Sequence, residues 1–463
     1  MSTSVRPQDA PTPAVAPHSA VRADLWAGGL GLALVAAAGV VPHLLTPDPR
    51  AELNTKVAPI LADFAPHVGW GTPFAVLVAV ATVAWGPAVA ARLGWRPLLG
   101  SAYLATVAWG FSLAMVDGWQ RGFADNLTTS DEYLSQVYKV HGVHELLSTF
   151  TSAIVERPGA WTVHASAHPP LILLFYAGLD RIGLGGGIWA STITAAIGAS
   201  ATVAVLIAVR ALAGRHGFPG PSGEGLARRA APFLVLAPTA TWVFVSADGL
   251  FAAVAAWGIA LLALAATRSV RRPWLAALGS GVVLGVGVYL SYGLILMALP
   301  AVAVLVAART TRPLLPALVG ALAVAALVTA AGFWWWEGYQ LVITRYYQGI
   351  ATRRTYSYWL WGNVAALVVM AGLASVAGVR RALAPARLRA REGLSMLVLG
   401  ALAAAAYADV SGLSRSETER IWLPFGVWLV AAAALLPRRH HRAWLAVAAV
   451  SALGVNHLLR TAW

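Results

Sequence analysis

Apolar stretches of roughly 15–22 residues recur from residue 25 onward, separated by short segments rich in arginine. Each is about as long as a helix needs to cross a ~30 Å hydrocarbon core. The runs are continuous and do not alternate with period two, which selects helices over barrel strands. They fall near residues 25–45, 73–91, 98–116, 188–209, 231–245, 250–266, 274–290, 292–308, 314–333, 358–378, 394–408, 421–436 and 444–458. The pattern predicts an all-α polytopic membrane protein of about thirteen spans, beginning inside and ending outside. Residues 1–22, rich in Pro, Ala and Ser, read as a disordered cytoplasmic tail, and 23–463 as one integral membrane domain. The first span lacks a small-x-small cleavage site and reads as a retained anchor.

One segment breaks the pattern. Residues 169–183 are apolar, but Asp180 and Arg181 interrupt their end. As a crossing, the segment would put Arg210, Arg215, Arg228 and Arg229 outside. It is therefore expected to lie on the outer surface as an amphipathic helix, within a long external loop at about 117–187.

Charge supports this orientation. The predicted cytoplasmic segments hold 21 of the 33 Lys and Arg residues, as the positive-inside rule requires. The predicted external segments hold 15 of the 19 acids, so carboxylates gather on one face. The formal charge of +14 is thus a topology signal, and no nucleic-acid partner is implied. Composition agrees: 59% of residues are hydrophobic and 11% charged, with mean hydropathy +0.69. Soluble domains carry about 25% charged residues. There is no cysteine, so neither a disulfide framework nor thiol chemistry is available.

Candidate chemistry lies in the predicted external segments. Asp117 sits where the third span leaves the bilayer, a costly depth for an acid, and is placed to act as a general base. Arg121, four residues on, either offsets its charge or meets an anionic substrate. The loop adds Asp131, Glu132 and Tyr133, then His164 and His168-Pro169-Pro170. The two prolines suit a helix start and force His168 to be extended. A solvated histidine beside a rigid helix start is the plainer account of His168, and His164 with His168 makes only a weak zinc pattern. Arg345, Tyr346, Tyr347, Arg353 and Arg354 follow a Trp-Trp-Trp-Glu run. Arginine among aromatics fits a lipid-linked phosphate, although an aromatic belt explains the tryptophans equally well. The cluster Arg415-Ser416-Glu417-Thr418-Glu419-Arg420 leads into a span, and Asp248 sits in a tight turn where a turn-forming role serves as well.

Together these pieces resemble the GT-C superfamily of membrane glycosyltransferases. The likeness rests on Asp117, on Asp131-Glu132-Tyr133, and above all on His168-Pro169-Pro170-Leu171 opening an apolar surface helix before a full span. It covers residues 98–308 best, while Glu419-Arg420-Ile421-Trp422 looks like a motif of actinobacterial members. The resemblance implies sugar transfer at the outer face of the plasma membrane, from a polyprenyl-phosphate donor to a cell-envelope glycan, lipid or protein. Asp117, Asp131 or Glu132 would be catalytic. Arg121, His164, His168, Asp248, Arg345, Tyr346, Tyr347, Arg353, Arg354, Glu419 and Arg420 would bind substrate. Asp117 and the donor-binding arginines are expected around one external cavity. Two spans rather than one precede the span that carries Asp117, and there is no clean Asp-x-Asp or Glu-x-Asp pair at the loop entrance. No metal site is assigned and no cofactor is certain, and a divalent cation stays open. The rival classes are a transporter or lipid flippase, and a non-catalytic membrane protein of the same fold.

Overall fold

The computed structural model describes residues 18–214, 220–244 and 246–461. The expected tail lies outside them up to residue 17, and the chain is already helical from His18. The architecture is all-α apart from one two-stranded ribbon. Among the described residues, seven helices are long and apolar enough to cross a membrane, or up to nine if each of two bent pairs forms one span.

The longer elements, in chain order, are α1 (His18–Leu45), β1 (Ala62–Phe64), α2 (Thr72–Arg92), α3 (Trp95–Ala114), α4 (Leu171–Arg181) and α5 (Gly187–Leu212). Next come α6 (Gly223–Val235), α7 (Ala247–Ala266), α8 (Pro273–Leu290), α9 (Ala298–Ala308), α10 (Leu314–Ala330) and α11 (Trp335–Gln348). The remainder are α12 (Tyr356–Ala371), α13 (Leu373–Ala382), α14 (Gly393–Val410), α15 (Thr418–Ile421), α16 (Leu423–Ala431), α17 (His441–Leu458) and β2 (Leu459–Thr461).

Several expected straight spans take other forms. The stretch 231–245 is broken: α6 ends at Val235, the chain turns through Pro238, and a short helix resumes at Ala240–Val243. Its final residue, 245, lies outside the described residues. The run at 358–378 bends by 104° between α12 and α13, because Gly372 adopts a left-handed φ of 81°. The run at 314–333 stops at Ala330 and turns by 76° into α11. The stretches at 292–308 and 421–436 are mixed 3₁₀ and α segments, shorter than the seven long helices. Residues 444–458 lie in α17, where His441, Arg442, Asn456 and His457 make the helix less apolar than those seven. The segment 169–183 forms α4, eleven residues with Ile172, Leu173, Tyr176 and Ala177 on its buried face. At 1.5 Å per residue it reaches about 16 Å, half of a crossing.

Of the seven long apolar helices the most enclosed is α7, packed between α5 and α8. With no hydrophobic effect between helices in lipid, close packing must hold them, and small residues permit it. A Cβ at Gly281 of α8 would overlap the Ala317 carbonyl of α10, and one at Gly320 would overlap the Leu278 carbonyl.

Ion pairs sort the polar segments into two groups. In one, Arg381 forks onto Asp24 (2.6 and 2.9 Å), while Arg210 and Arg228 flank Glu224 (2.8 and 2.6 Å). Arg228 also donates to the carbonyls of Ala90 and Leu93. In the other, Arg50, Lys56, His67, Asp117, Glu132, His164, Asp248, Arg354 and Arg420 find their partners. No ion pair among the described residues joins one group to the other. The ribbon belongs to the second group, with Ala62 facing Thr461 and Phe64 facing Leu459.

Candidate functional site

Within the second group Glu132, Asp248 and Glu417 gather around Arg420, which the single helical turn of α15 presents into the protein. Its Nη1 lies 3.5 Å from Glu132 Oε1, its Nε 3.2 Å from Asp248 Oδ2 and its Nη2 3.3 Å from Glu417 Oε2. The same Nη2 is 3.3 Å from His164 Nε2, and His164 Nδ1 is 3.0 Å from Glu132 Oε1. Arg354 holds the other oxygen of Glu417 at 3.0 Å. Arg420, Glu132, Asp248 and Arg354 are all buried, so each charge must be answered inside the protein. Burial alone would raise the Glu132 carboxyl, yet the hydrogen bond and charge of His164, with Arg420 and His168, bring it below its ordinary value. Glu417 ends low for the same reason, through Arg420 and Arg354. Burial disfavours the charged form of Arg420, but Asp248, Glu132 and Glu417 outweigh it and raise its pKa.

The backbone before α15 is unusual. Ser416 (φ 74°) and Glu417 (φ 63°) are consecutive left-handed residues, and neither is glycine. Such conformations cost on the order of 1–3 kcal/mol each and persist only where the surroundings impose them. Here Asn363 of α12 imposes them. Its Oδ1 accepts from the Ser416 N–H (3.0 Å), and its Nδ2 donates to the Ser414 carbonyl and to Asp409 Oδ1 (2.8 Å each). Arg415 and Arg354 each donate to the other's carbonyl oxygen, at 3.0 and 2.8 Å. The Arg415 guanidinium also stacks over Tyr356 and Tyr347, and the Arg415 backbone N–H donates to the Tyr346 hydroxyl.

His168 is extended (φ −126°, ψ 152°) ahead of Pro169-Pro170 and α4, as the prolines predict. It is not solvated. Its Nδ1 meets the Tyr133 hydroxyl at 2.9 Å and the His164 carbonyl at 3.0 Å, and its ring packs on Phe251. Burial lowers its pKa and raises that of Tyr133, which stacks on Tyr176. His168 and Tyr133 therefore form a neutral wall behind the charged cluster.

Asp117 follows α3, its N–H held by the Ala114 carbonyl. A Cβ at Gly122 would overlap that same carbonyl, so only glycine lets the chain fold back this tightly. The Asp117 carboxylate lies 3.3 Å from Arg121 Nε and 3.5 Å from His67 Nε2. Arg121 donates onward to the Thr461 carbonyl of β2. Between these residues and Arg420 runs a narrow cleft, also lined by Thr241, Trp242, Ser246 and Asn456.

The expected shared cavity thus brings Asp117, Arg121 and Arg420 together, but not the other arginines or His168. Arg345 pairs with Glu156, and Arg353 is exposed. Arg354 serves Glu417, while Tyr346 and Tyr347 steady Arg415. Asp131 is exposed and contributes only its carbonyl, to His164, so of the adjacent acids Glu132 alone turns inward. Asp248 is no mere turn former, since it lies in the first turn of α7 and meets Arg420. Glu419 points away, to the N–H of Leu61, and its Oε2 has no hydrogen-bond partner among the described residues. Burial raises the Glu419 carboxyl to about 7.

Sequence reasoning missed the roles of Glu417, Asn363 and His67. Glu417 stood in a quoted cluster, but nothing in its spacing distinguishes it from Glu419. The described residues contain no group of three or more His, Asp or Glu side chains able to hold a metal ion. The cation amid Glu132, Asp248 and Glu417 is the Arg420 guanidinium. No protein-family model and no curated protein sequence matches the chain.

Proposed function

We propose that the protein is a multi-pass plasma-membrane glycosyltransferase, moving a sugar from a polyprenyl-phosphate donor to a cell-envelope acceptor on the extracytoplasmic face. The observation that carries this reading is the cleft that joins Asp117 to Arg420, residues brought together only by folding. In the proposed reaction the acceptor hydroxyl oxygen bonds to the anomeric carbon. The bond from that carbon to the phosphate oxygen breaks, and the phosphate leaves with the electron pair. Asp117 takes the hydroxyl proton.

The electrostatics refine the roles. Three carboxylates already surround Arg420, so it orders the inner wall and is poorly placed to bind a phosphate. Arg121 is about half exposed on the same cleft, and its guanidinium is placed to meet the departing phosphate bidentately. Arg345, Arg353 and Arg354 take no part in this donor site.

The two ion-pair groups support the thirteen-span reading. Every pair joins segments expected on the same side, with the site group on the outer face. The bent pairs α10–α11 and α12–α13 favour the second reading, a transporter, since broken helices line transport sites. Purified protein incubated with radiolabelled polyprenyl-phosphate sugars and envelope acceptors separates the two. Label transferred covalently to an acceptor supports the enzyme. Label carried intact across proteoliposomes, with no transfer, supports the transporter.

A further inference from the structure

We propose that the cleft between Asp117 and Arg420 seats a neutral sugar ring, held by Thr241, Trp242 and Asn456. The assignment rests on the glycosyltransferase reading and states what the cleft recognises. Each of these three residues lines the cleft and carries a buried polar atom with no hydrogen-bond partner among the described residues: Thr241 Oγ1, Trp242 Nε1 and Asn456 Oδ1. Trp242 is 4% and Asn456 5% exposed. Folded proteins satisfy nearly all such atoms, because leaving one buried without a partner costs about 1–3 kcal/mol. Three on the walls of one cleft mark a place where a ligand supplies the partners.

The inventory of the three atoms selects the ligand. An indole N–H only donates, an amide oxygen only accepts, and a threonine hydroxyl does both. A phosphate, which offers acceptors, cannot satisfy Asn456 Oδ1. A polyprenyl tail satisfies none of the three. Sugar hydroxyls donate and accept, and several project from one small ring. None of the three protein groups is charged, and the charges on the same cleft are paired, Asp117 with Arg121 and Arg420 with Asp248, which fits a neutral hexose or pentose. The charged lining completes the fit: Asp117 stands beside Arg121, where the phosphate would lie, and Arg420 with its carboxylates lines the same cleft. Elements distant in sequence build this seat: Thr241 and Trp242 lie in the short helix after Pro238, and Asn456 in the last turn of α17.

The test compares two kinds of probe on full-length protein in nanodiscs: bare C10 polyprenyl phosphate, and the same lipid carrying mannose, glucose, galactose or arabinose. The variants are Thr241→Val and Asn456→Leu, each removing polar atoms at nearly constant shape. At least one sugar-bearing lipid should bind wild-type protein more tightly than the bare phosphate. Each variant should weaken that lipid about 5-fold or more while leaving the bare phosphate unchanged. The melting temperature of the ligand-free protein should stay level or rise, because each change removes an unsatisfied atom. Equal weakening of both probes, no weakening of either, or a marked fall in melting temperature overturns the sugar seat alone. So does a wild-type protein that binds every lipid equally. Wild-type protein that binds none of them overturns the glycosyltransferase reading, and this assignment with it.

Discussion

Arg354 and Arg420 share one carboxylate: Glu417 gives Oε1 to Arg354 Nη2 at 3.0 Å and Oε2 to Arg420 Nη2 at 3.3 Å. This link joins the loop after α11 to the entry of α16, and Arg420 carries it on to Glu132 and Asp248. Removing the central cation should leave three carboxylates facing one another. Arg420→Ala is expected to lower stability by about 3–5 kcal/mol, the range for breaking a buried pair. Thermal unfolding in detergent measures it. Adding Glu132→Gln to that variant should restore part of the loss, because one unanswered charge disappears. A double variant whose loss equals the sum of the two single changes would show that Arg420 and Glu132 are not electrostatically coupled.

Asp117→Asn keeps the shape of the side chain but removes the proton acceptor. Turnover in the transfer assay should fall about 10²-fold or more, the scale of a general base. The melting temperature should move little, since Asp117 is partly exposed and its partners Arg121 and His67 lie at the cleft. Turnover near wild type would remove Asp117 from the reaction and leave Glu132 as the next acid inward.

Glu419 predicts a pH dependence whose sign can be worked out. Its carboxyl is raised by burial from 4.5 to about 7 in the folded protein. Between these values the unfolded chain loses the proton and the folded chain keeps it. The stabilisation is therefore complete below about pH 4.5 and lost as pH climbs through about 7. The swing is on the order of 3 kcal/mol, at about 1.4 kcal/mol for each pKa unit. Glu132 and Glu417, held low by cations, tilt the opposite way, so the comparison is with Glu419→Gln. Melting curves from pH 4.5 to 8 should show wild type losing stability relative to this variant. Parallel curves would mean that Glu419 ionises normally.

Orientation is checked by labelling. Cysteines introduced at Tyr138 and Thr352, both exposed in the site group, should react with an impermeant maleimide in intact cells. One at Ser222, exposed beside the Glu224 group, should react only after lysis. Labelling of Ser222 in intact cells would reverse the assignment of the site to the outer face.

Much of the fold was legible because lipid reads only length and apolarity. The run at 98–116 became Trp95–Ala114, and 188–209 became Gly187–Leu212. What stayed hidden was straightness. An apolar run does not reveal that Gly372 will turn left-handed, or that the chain will break at Pro238, because packing against neighbours decides both. The site divides in the same way. Glu132, His164, Asp248 and Arg420 stood out as charges in a chain that has few. Their pairing did not, nor did the choice of Glu132 over Asp131, which depends on which residue a tertiary contact turns inward. Ser416 and Glu417 left no trace, since a strained φ at a non-glycine residue is imposed by Asn363 from another helix.

The ribbon of β1 and β2 also sets a temporal order. Residues 459–461 are synthesised after every helix named above, yet Thr461 receives Arg121 and Leu459 lines the cleft beside Asp117. A chain inserted stepwise from the ribosome would hold Asp117 at the membrane surface for most of its biogenesis with that wall open. That wall is completed only once translation has passed residue 461, so the cleft takes its final shape after every one of those helices has been made.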